Sequence, residues 1–451
     1  MKYVIKRDGK KEDFDLAKIR NAVRAAAKTG KEECIEEFIT NYVHSYICTK
    51  YEIGVEEIQD CVERTLIEYN YADTARAYIK YRENHRQLRE AKNNLVNVQE
   101  SIDEYLSQSD WRVKANANQD YSLGGLILQT SGKVVANYWL NNVYAPEAGE
   151  AHRNGDIHIH DLDMLSGYCA GWSLRTLLEE GFNGVEGKIE AGPPKHMSSA
   201  IGQIVNFLGT LQNEWAGAQA FSSFDTYMAP FVWLDDMSYG EVKQCMQELI
   251  FNLNVPSRWG TQTPFTNLTF DWVCPDDLKE VNPKIGGHEE MFTYGDLQPE
   301  MDMINRAYIE VMTEGDAKGR IFTFPIPTYN ITKDFDWDTE NADLLFEMTA
   351  KYGLPYFQNF INSDLTPDMV RSMCCRLQLD LTQLEKRGNG LFGSSEQTGS
   401  IGVVTINCAR LGYDFKCARS GYDRNDYTDL ISKVYELIDI AVDSLEIKRK
   451  V

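Results

Sequence analysis

The sequence is short of several things, and each shortage removes a class of protein. No apolar run in its 451 residues approaches the roughly 18 needed to span a bilayer, and MKYVIKRDGK at the N-terminus is charged where a secretion signal needs an apolar segment. These features predict a cytoplasmic protein with no membrane partner. Basic residues are scarce: 46 Lys and Arg stand against 68 Asp and Glu, a formal charge of -22, which disfavours nonspecific binding to nucleic acid. A phosphate-bearing ligand therefore needs a local basic pocket. The ten cysteines include no CxxC pair, so neither a zinc ribbon nor a thioredoxin-type site is written, and no metal site is assigned. The pattern GxxxxGKS/T is absent, which excludes a P-loop ATPase. GNGLFG at 388–393 fits GxGxxG but neither follows a clear strand nor opens a helix, so it does not predict a dinucleotide fold.

What is present has the balance of a globular chain of two or three domains, with 43% hydrophobic and 25% charged residues. Residues 1–92 read as one small domain. Tyr3 to Ile5 and Glu12 to Phe14 form a hairpin around Asp8-Gly9, and Asp15 caps a helix from Leu16 that Gly30 stops. Apolar residues at three and four spacing predict further helices over about Glu33–Ile47, Val55–Glu68 and Asp73–Glu90. The polar stretch Ala91–Asp110 reads as a connection into a second domain, 93–451. There, strand-like apolar runs alternate with amphipathic helices, the pattern of an α/β protein with a parallel sheet. GVVTIN at 402–407 reads as a buried strand, and Thr428 as the cap of a helix reaching Ile447.

In the first domain, Lys6, Arg7 and Lys18 bring three cations to one end of the hairpin and first helix, where a triphosphate would need them. VIKRDGKKEDFDLAKIRNAV, with VEEIQDCVERTL and ARAYIKYRENH downstream, resembles an ATP-cone, the allosteric domain that senses ATP against dATP in ribonucleotide reductases. The resemblance adds Val4, Asp8, Gly9, Phe14 and Ile19 as the frame around the bound ATP or dATP.

In the second domain, His158, His160 and Asp161 invite a metal reading, but HxHD on a strand sets both histidines on one face with no third ligand at a usual spacing. They read instead as hydrogen-bonded structural or substrate-side histidines. HIHDLDMLSGYCAGWS, GAQAFSSFDTYMAPF, NLNVPSRWGTQTPFTNLTFDW, FTFPIPTYNITKDFDWD and YGLPYFQNFINSDL followed by RSMCCRLQLD together resemble the anaerobic, class III, ribonucleoside-triphosphate reductases. The resemblance implies the first half of a ten-stranded glycyl-radical-enzyme α/β barrel, and NTP reduction by thiyl radical chemistry. It maps the thiyl cysteine onto Cys375, directly before Arg376, with Cys374 as a packing neighbour. It maps the facing hydrogen donor onto Cys169 and places Asn407 near the active site; Cys408, where relatives carry an apolar residue, reads as a packing residue.

The resemblance also implies a dNTP specificity effector, a radical S-adenosylmethionine activating enzyme as partner, and a homodimer or higher oligomer with the apolar segment Gln203–Tyr227 at its interface. The family's four-cysteine zinc site and glycyl radical loop have no counterpart in these 451 residues, so glycyl radical and zinc are expected only in a further C-terminal region. The competing reading is a catalytically silent nucleotide-sensing fragment or a subunit of a split reductase.

Overall fold

The computed structural model describes residues 3–5, 11–30, 35–48, 50, 52–94, 98–107, 122–164, 166–183, 187, 189–257, 262–363, 366–367, 398–418 and 427–451. The chain divides into two compact units, Met1–Val96 and Asn97–Val451.

In the first unit, β1 (Tyr3–Ile5) pairs antiparallel with β2 (Lys11–Asp13), and a third strand, β3 (Glu52–Gly54), pairs parallel with β1 on its other side. The helices span Leu16–Gly30, Glu36–Ile47, Val55–Glu68 and Ala72–Asn94. Asp15 Oδ1 accepts the N–H of Ala17 at 2.8 Å, fixing the first helix at its start. Apolar side chains at helical spacing, among them Val23, Ile39, Val43, Val62 and Leu66, close a core over Val4 and Ile53 of the sheet. Arg82 then ties the last two of these helices together by binding Asp60 at 2.7 Å, Glu63 at 3.0 Å, and Glu56. The polar stretch after residue 90 is more ordered than its composition predicts. Helix continues to Asn94 and resumes over Val98–Leu106, because Tyr105 finds Ser122 and Lys133 pairs with Glu104.

The second unit holds a six-stranded sheet in the order β11-β10-β7-β6-β5-β12. Five of these strands run parallel: β5 (Ala170–Trp172), β6 (Gln219–Phe221), β7 (Thr266–Phe270), β10 (Ile326–Ile331) and β11 (Tyr356–Asn359). Helices such as Met197–Leu211, Phe224–Leu234, Gln298–Glu314 and Glu340–Tyr352 supply the crossovers between them, as parallel pairing requires. β12 (Thr398–Gly399) lies antiparallel on the free edge of β5. On the helix-covered face, Phe221, Leu268, Phe270, Tyr329 and Ile331 join one large apolar core.

Two expectations change here. GVVTIN is not a buried strand of the parallel sheet: β13 (Val404–Ile406) pairs antiparallel with β4 (Ile157–Ile159), a separate two-stranded ladder that leaves it half-exposed. Thr428 is the first residue of the helix Thr428–Lys450, not its cap, since Tyr427 occupies that position. Within 203–227, Ile204, Leu208, Phe221, Phe224 and Tyr227 belong to the helix-side core, while Val205, Phe207 and Leu211 are only partly buried. Among the described residues, no helix is long and apolar enough to cross a membrane.

Candidate functional site

The face of the parallel sheet turned away from the large helix core carries a row of buried polar side chains. Side chains alternate along a strand, so if Leu268 and Phe270 face the helices, Asn267, Thr269 and Asp271 face the other way. The register sets Thr328 and Asn330 of β10 beside Thr269 and Asp271, and Gln358 of β11 beside Asn330. All of these are buried polar groups. Asn267 Nδ2 donates to the carbonyl of Ile326 at 2.8 Å and to Thr328 Oγ1 at 3.1 Å. Asn330 Nδ2 donates to Asp271 Oδ1 at 2.9 Å, and Thr226 Oγ1 to Asp271 Oδ2 at 2.7 Å. Behind them, Asp225 accepts from the backbone N–H of Asp271 and Trp272 and from Asn305 Nδ2, at 2.8 to 2.9 Å.

Cys169 stands on this same face at the foot of β5, with no solvent exposure, packed with Ala218, Tyr168 and Phe265. Its backbone is gripped from far along the chain: Ser400 N donates to the Cys169 carbonyl at 2.9 Å, and Cys169 N donates to Ser400 Oγ at 3.3 Å. Glycine is required opposite the thiol. A Cβ at Gly217 would lie 2.5 Å from Cys169 Sγ and 2.9 Å from the Tyr168 carbonyl oxygen, and one at Gly399 would lie 2.8 Å from the Cys169 carbonyl oxygen. Gln212 Nε2 holds the Gly217 carbonyl at 2.7 Å, so the backbone cannot easily retreat from the sulfur. The arrangement is a fully buried thiol closely bounded by backbone, on the same sheet face as the buried polar groups.

Asn407 sits elsewhere, at the end of β13. Its Nδ2 donates to the Gly155 carbonyl at 2.9 Å and its Oδ1 accepts from Arg410 N at 3.0 Å, so it caps the helix Cys408–Ala418. Cys408 is exposed, contrary to the packing role expected of it, because the first helical position after that cap points outward. Cys374, Cys375 and the stretch GNGLFG lie outside the described residues, as do Lys6, Arg7, Asp8 and Gly9. Of the remaining residues expected in the first unit, Val4 and Ile19 are in its core, Phe14 stacks on His44 with ring centres 5.9 Å apart, and Lys18 reaches Glu12 at 3.3 Å.

His158 and His160 do share a face, their rings 4.6 Å apart, and His160 Nε2 lies 2.8 Å from Thr405 Oγ1. His152 joins them 5.4 Å from His158. Burial lowers the pKa of all three, which keeps them neutral at pH 7. Among the described residues, no group of three or more His, Cys, Asp or Glu is placed to hold a metal ion.

Sequence reasoning missed Ser400, Gly217 and the Asp225, Asp271 and Asn330 group. Only the small-residue run GAQA and the alternation in TNLTFD hinted at them.

Solved structures share this architecture. An anaerobic ribonucleotide reductase from Thermotoga maritima, solved in complex with dATP and CTP, superposes with a TM-score of 0.54 over 73% of this chain and 56% of its own, at 21% identity. A second Thermotoga maritima structure, with glycerol in its active site, gives 0.56 over 79% and 59%. The fold is therefore that of the ribonucleotide reductases. Residues 115–451 match the anaerobic ribonucleoside-triphosphate reductase family and residues 2–87 match the ATP cone domain, so the chain belongs to the anaerobic ribonucleoside-triphosphate reductase family. The anaerobic ribonucleoside-triphosphate reductase of Haemophilus influenzae is 25% identical over 95% of this chain, and that of Escherichia coli 27% identical over 92%. This chain spans about three fifths of each relative's length, 62% and 59%.

Proposed function

We propose that this chain forms the nucleotide-sensing and substrate-facing part of an enzyme that reduces ribonucleoside triphosphates to deoxyribonucleoside triphosphates. The observation that supports this best is Cys169, a fully buried thiol on the polar face of the parallel sheet with glycine backbone packed against its sulfur. In this reading Cys375, as a thiyl radical, takes the 3'-hydrogen of the ribose, and Cys169 gives a hydrogen atom from the opposite side as the 2'-hydroxyl leaves as water. A buried thiol suits that role, since a carbon radical must be kept from solvent and from other hydrogen donors. The two electrons come from a reductant, formate or a redoxin. Asn407, at the start of the helix it caps, lies near the active site in this reading. The ATP-cone takes ATP or dATP with Lys6, Arg7 and Lys18 on the phosphates and Val4, Asp8, Gly9, Phe14 and Ile19 framing the nucleotide, while a dNTP effector sets specificity in a homodimer.

The radical that regenerates the thiyl, a glycyl radical formed by a radical S-adenosylmethionine activating enzyme, and the zinc site belong to a further C-terminal region. The test uses the complete enzyme, activated anaerobically. Cys375→Ser should leave the glycyl radical detectable by electron paramagnetic resonance and eliminate turnover, because a serine O–H bond is too strong for the exchange. Cys374→Ser should keep most activity. An active Cys375→Ser enzyme beside an inactive Cys374→Ser enzyme would move the radical to the other sulfur, and turnover in Cys169→Ser would remove Cys169 from the chemistry.

A further inference from the structure

A cleft of about 280 Å³ opens at the C-terminal edge of β7, β10 and β11, the edge at which open parallel sheets bind ligands. Cys169 is level with Phe265 in the strand register, and Asp271 lies six residues further on, so the cleft floor is about 20 Å up the sheet from the thiol. The floor is Asp271 and Asn330, respectively 3% and 6% exposed, and both line the opening. Because Asn330 Nδ2 is committed to Asp271, its amide orientation is fixed and Oδ1 is its remaining polar atom. That oxygen is buried and, among the described residues, has no hydrogen-bond partner. A buried amide oxygen left unmatched costs stability that a ligand donor would restore.

The sign of the site follows from its other groups. Asp271, Asp276, Asp277 and Asp334 line it against Lys279 and Lys333, and Lys279 is already paired with Asp276 at 2.6 Å. Asp225 backs the floor from below through the Asp271 N–H. The thiol of Cys274, in the cleft wall, is pushed up to about 12 by burial and then by the charges of Asp271 and Asp225, in keeping with a negative interior. An amide oxygen beside a carboxylate offers only acceptors. A hydroxyl would bring its own lone pairs against them, whereas an ammonium brings three donors, a positive charge and no acceptor.

We propose that this cleft is a second small-molecule site, separate from the thiol, that takes a primary ammonium group on Asn330 Oδ1 and Asp271. Its volume admits a ligand of about ten non-hydrogen atoms. One wall is formed by Ser363, Thr366 and Pro367, which follow β11 in the chain.

The test is a chemical-shift titration of the chain with three probes: ethanolamine, ethylene glycol, which has hydroxyls without the charge, and tetramethylammonium, which has the charge without N–H donors. Ethanolamine should saturate in the millimolar range, and each of the others should bind about tenfold more weakly or worse. Asn330→Leu should weaken ethanolamine by a similar factor. Ser363→Trp, which fills the mouth and leaves the floor intact, should block it even where Asn330→Leu fails to fold. Ethanolamine that does not saturate, that is matched by either other probe, or that binds Ser363→Trp as well as the parent overturns the proposal.

Discussion

Acidification should cost this protein stability through His152, and the structure gives the amount. His152 lies on the helix Pro146–Asn154, and its Nδ1 accepts the backbone N–H of Ile159 at 3.1 Å, which joins that helix to β4. A proton on Nδ1 would break the bond and put a charge beside His158 and Arg153. Burial first, then those two neighbours, hold the His152 pKa down at about 4, against an ordinary 6.5. The folded pKa is depressed, so the unfolded chain takes up the proton first as pH falls. Stability is complete above about pH 6.5 and is lost progressively between there and about pH 4. Full conversion of that difference gives about 3 kcal/mol, and because the ring is only half-buried, screening reduces it to about 1–2 kcal/mol. His152→Asn isolates the effect, since an Asn oxygen can stand where Nδ1 stands and accept from Ile159 without titrating. Urea unfolding at pH 7.5 and pH 4.5 should show the parent losing about 1–2 kcal/mol more than His152→Asn. Equal losses in the two proteins, or an NMR titration of the His152 ring with its midpoint near 6.5, would refute the reasoning.

Three further outcomes are expected. Gly217→Ala places a Cβ 2.5 Å from Cys169 Sγ and should cost about 1–3 kcal/mol in urea unfolding; Cys169→Ala should restore only part of it, because the Tyr168 carbonyl at 2.9 Å remains in the way. Asp225→Ala leaves the N–H groups of Asp271 and Trp272 and the Asn305 amide without their acceptor, and a loss of about 3–5 kcal/mol should be measured; less than about 1 kcal/mol would mean that water enters and replaces the carboxylate. Lys6→Glu should weaken dATP binding to the cone by at least ~1.5 kcal/mol in calorimetry, and an unchanged affinity would take Lys6 out of the nucleotide site.

The sequence by itself determined the local features and the family. The helix Val55–Glu68 falls where three and four spacing puts it, and Asp15 caps where an Asp before an apolar run should, because caps and periodicity are set by residues one turn apart. The long ordered motifs around YCAGWS and NLTFDW carried the relationship to the reductases without any coordinates. Only tertiary structure decided which face of the sheet is which. A period of two is the same for both faces and does not say whether either is exposed; in TNLTF all five residues are buried and the polar half forms the candidate site. Strand partners are likewise invisible locally: β3 joins β1 from almost fifty residues away, and GVVTIN leaves the parallel sheet to pair with β4. The thiol's surroundings depend on such distant contacts most of all. Cys169 is fixed by Ser400 and bounded by Gly217, and since close approach of two backbones is a property of neither segment alone, only the fold could bring them together.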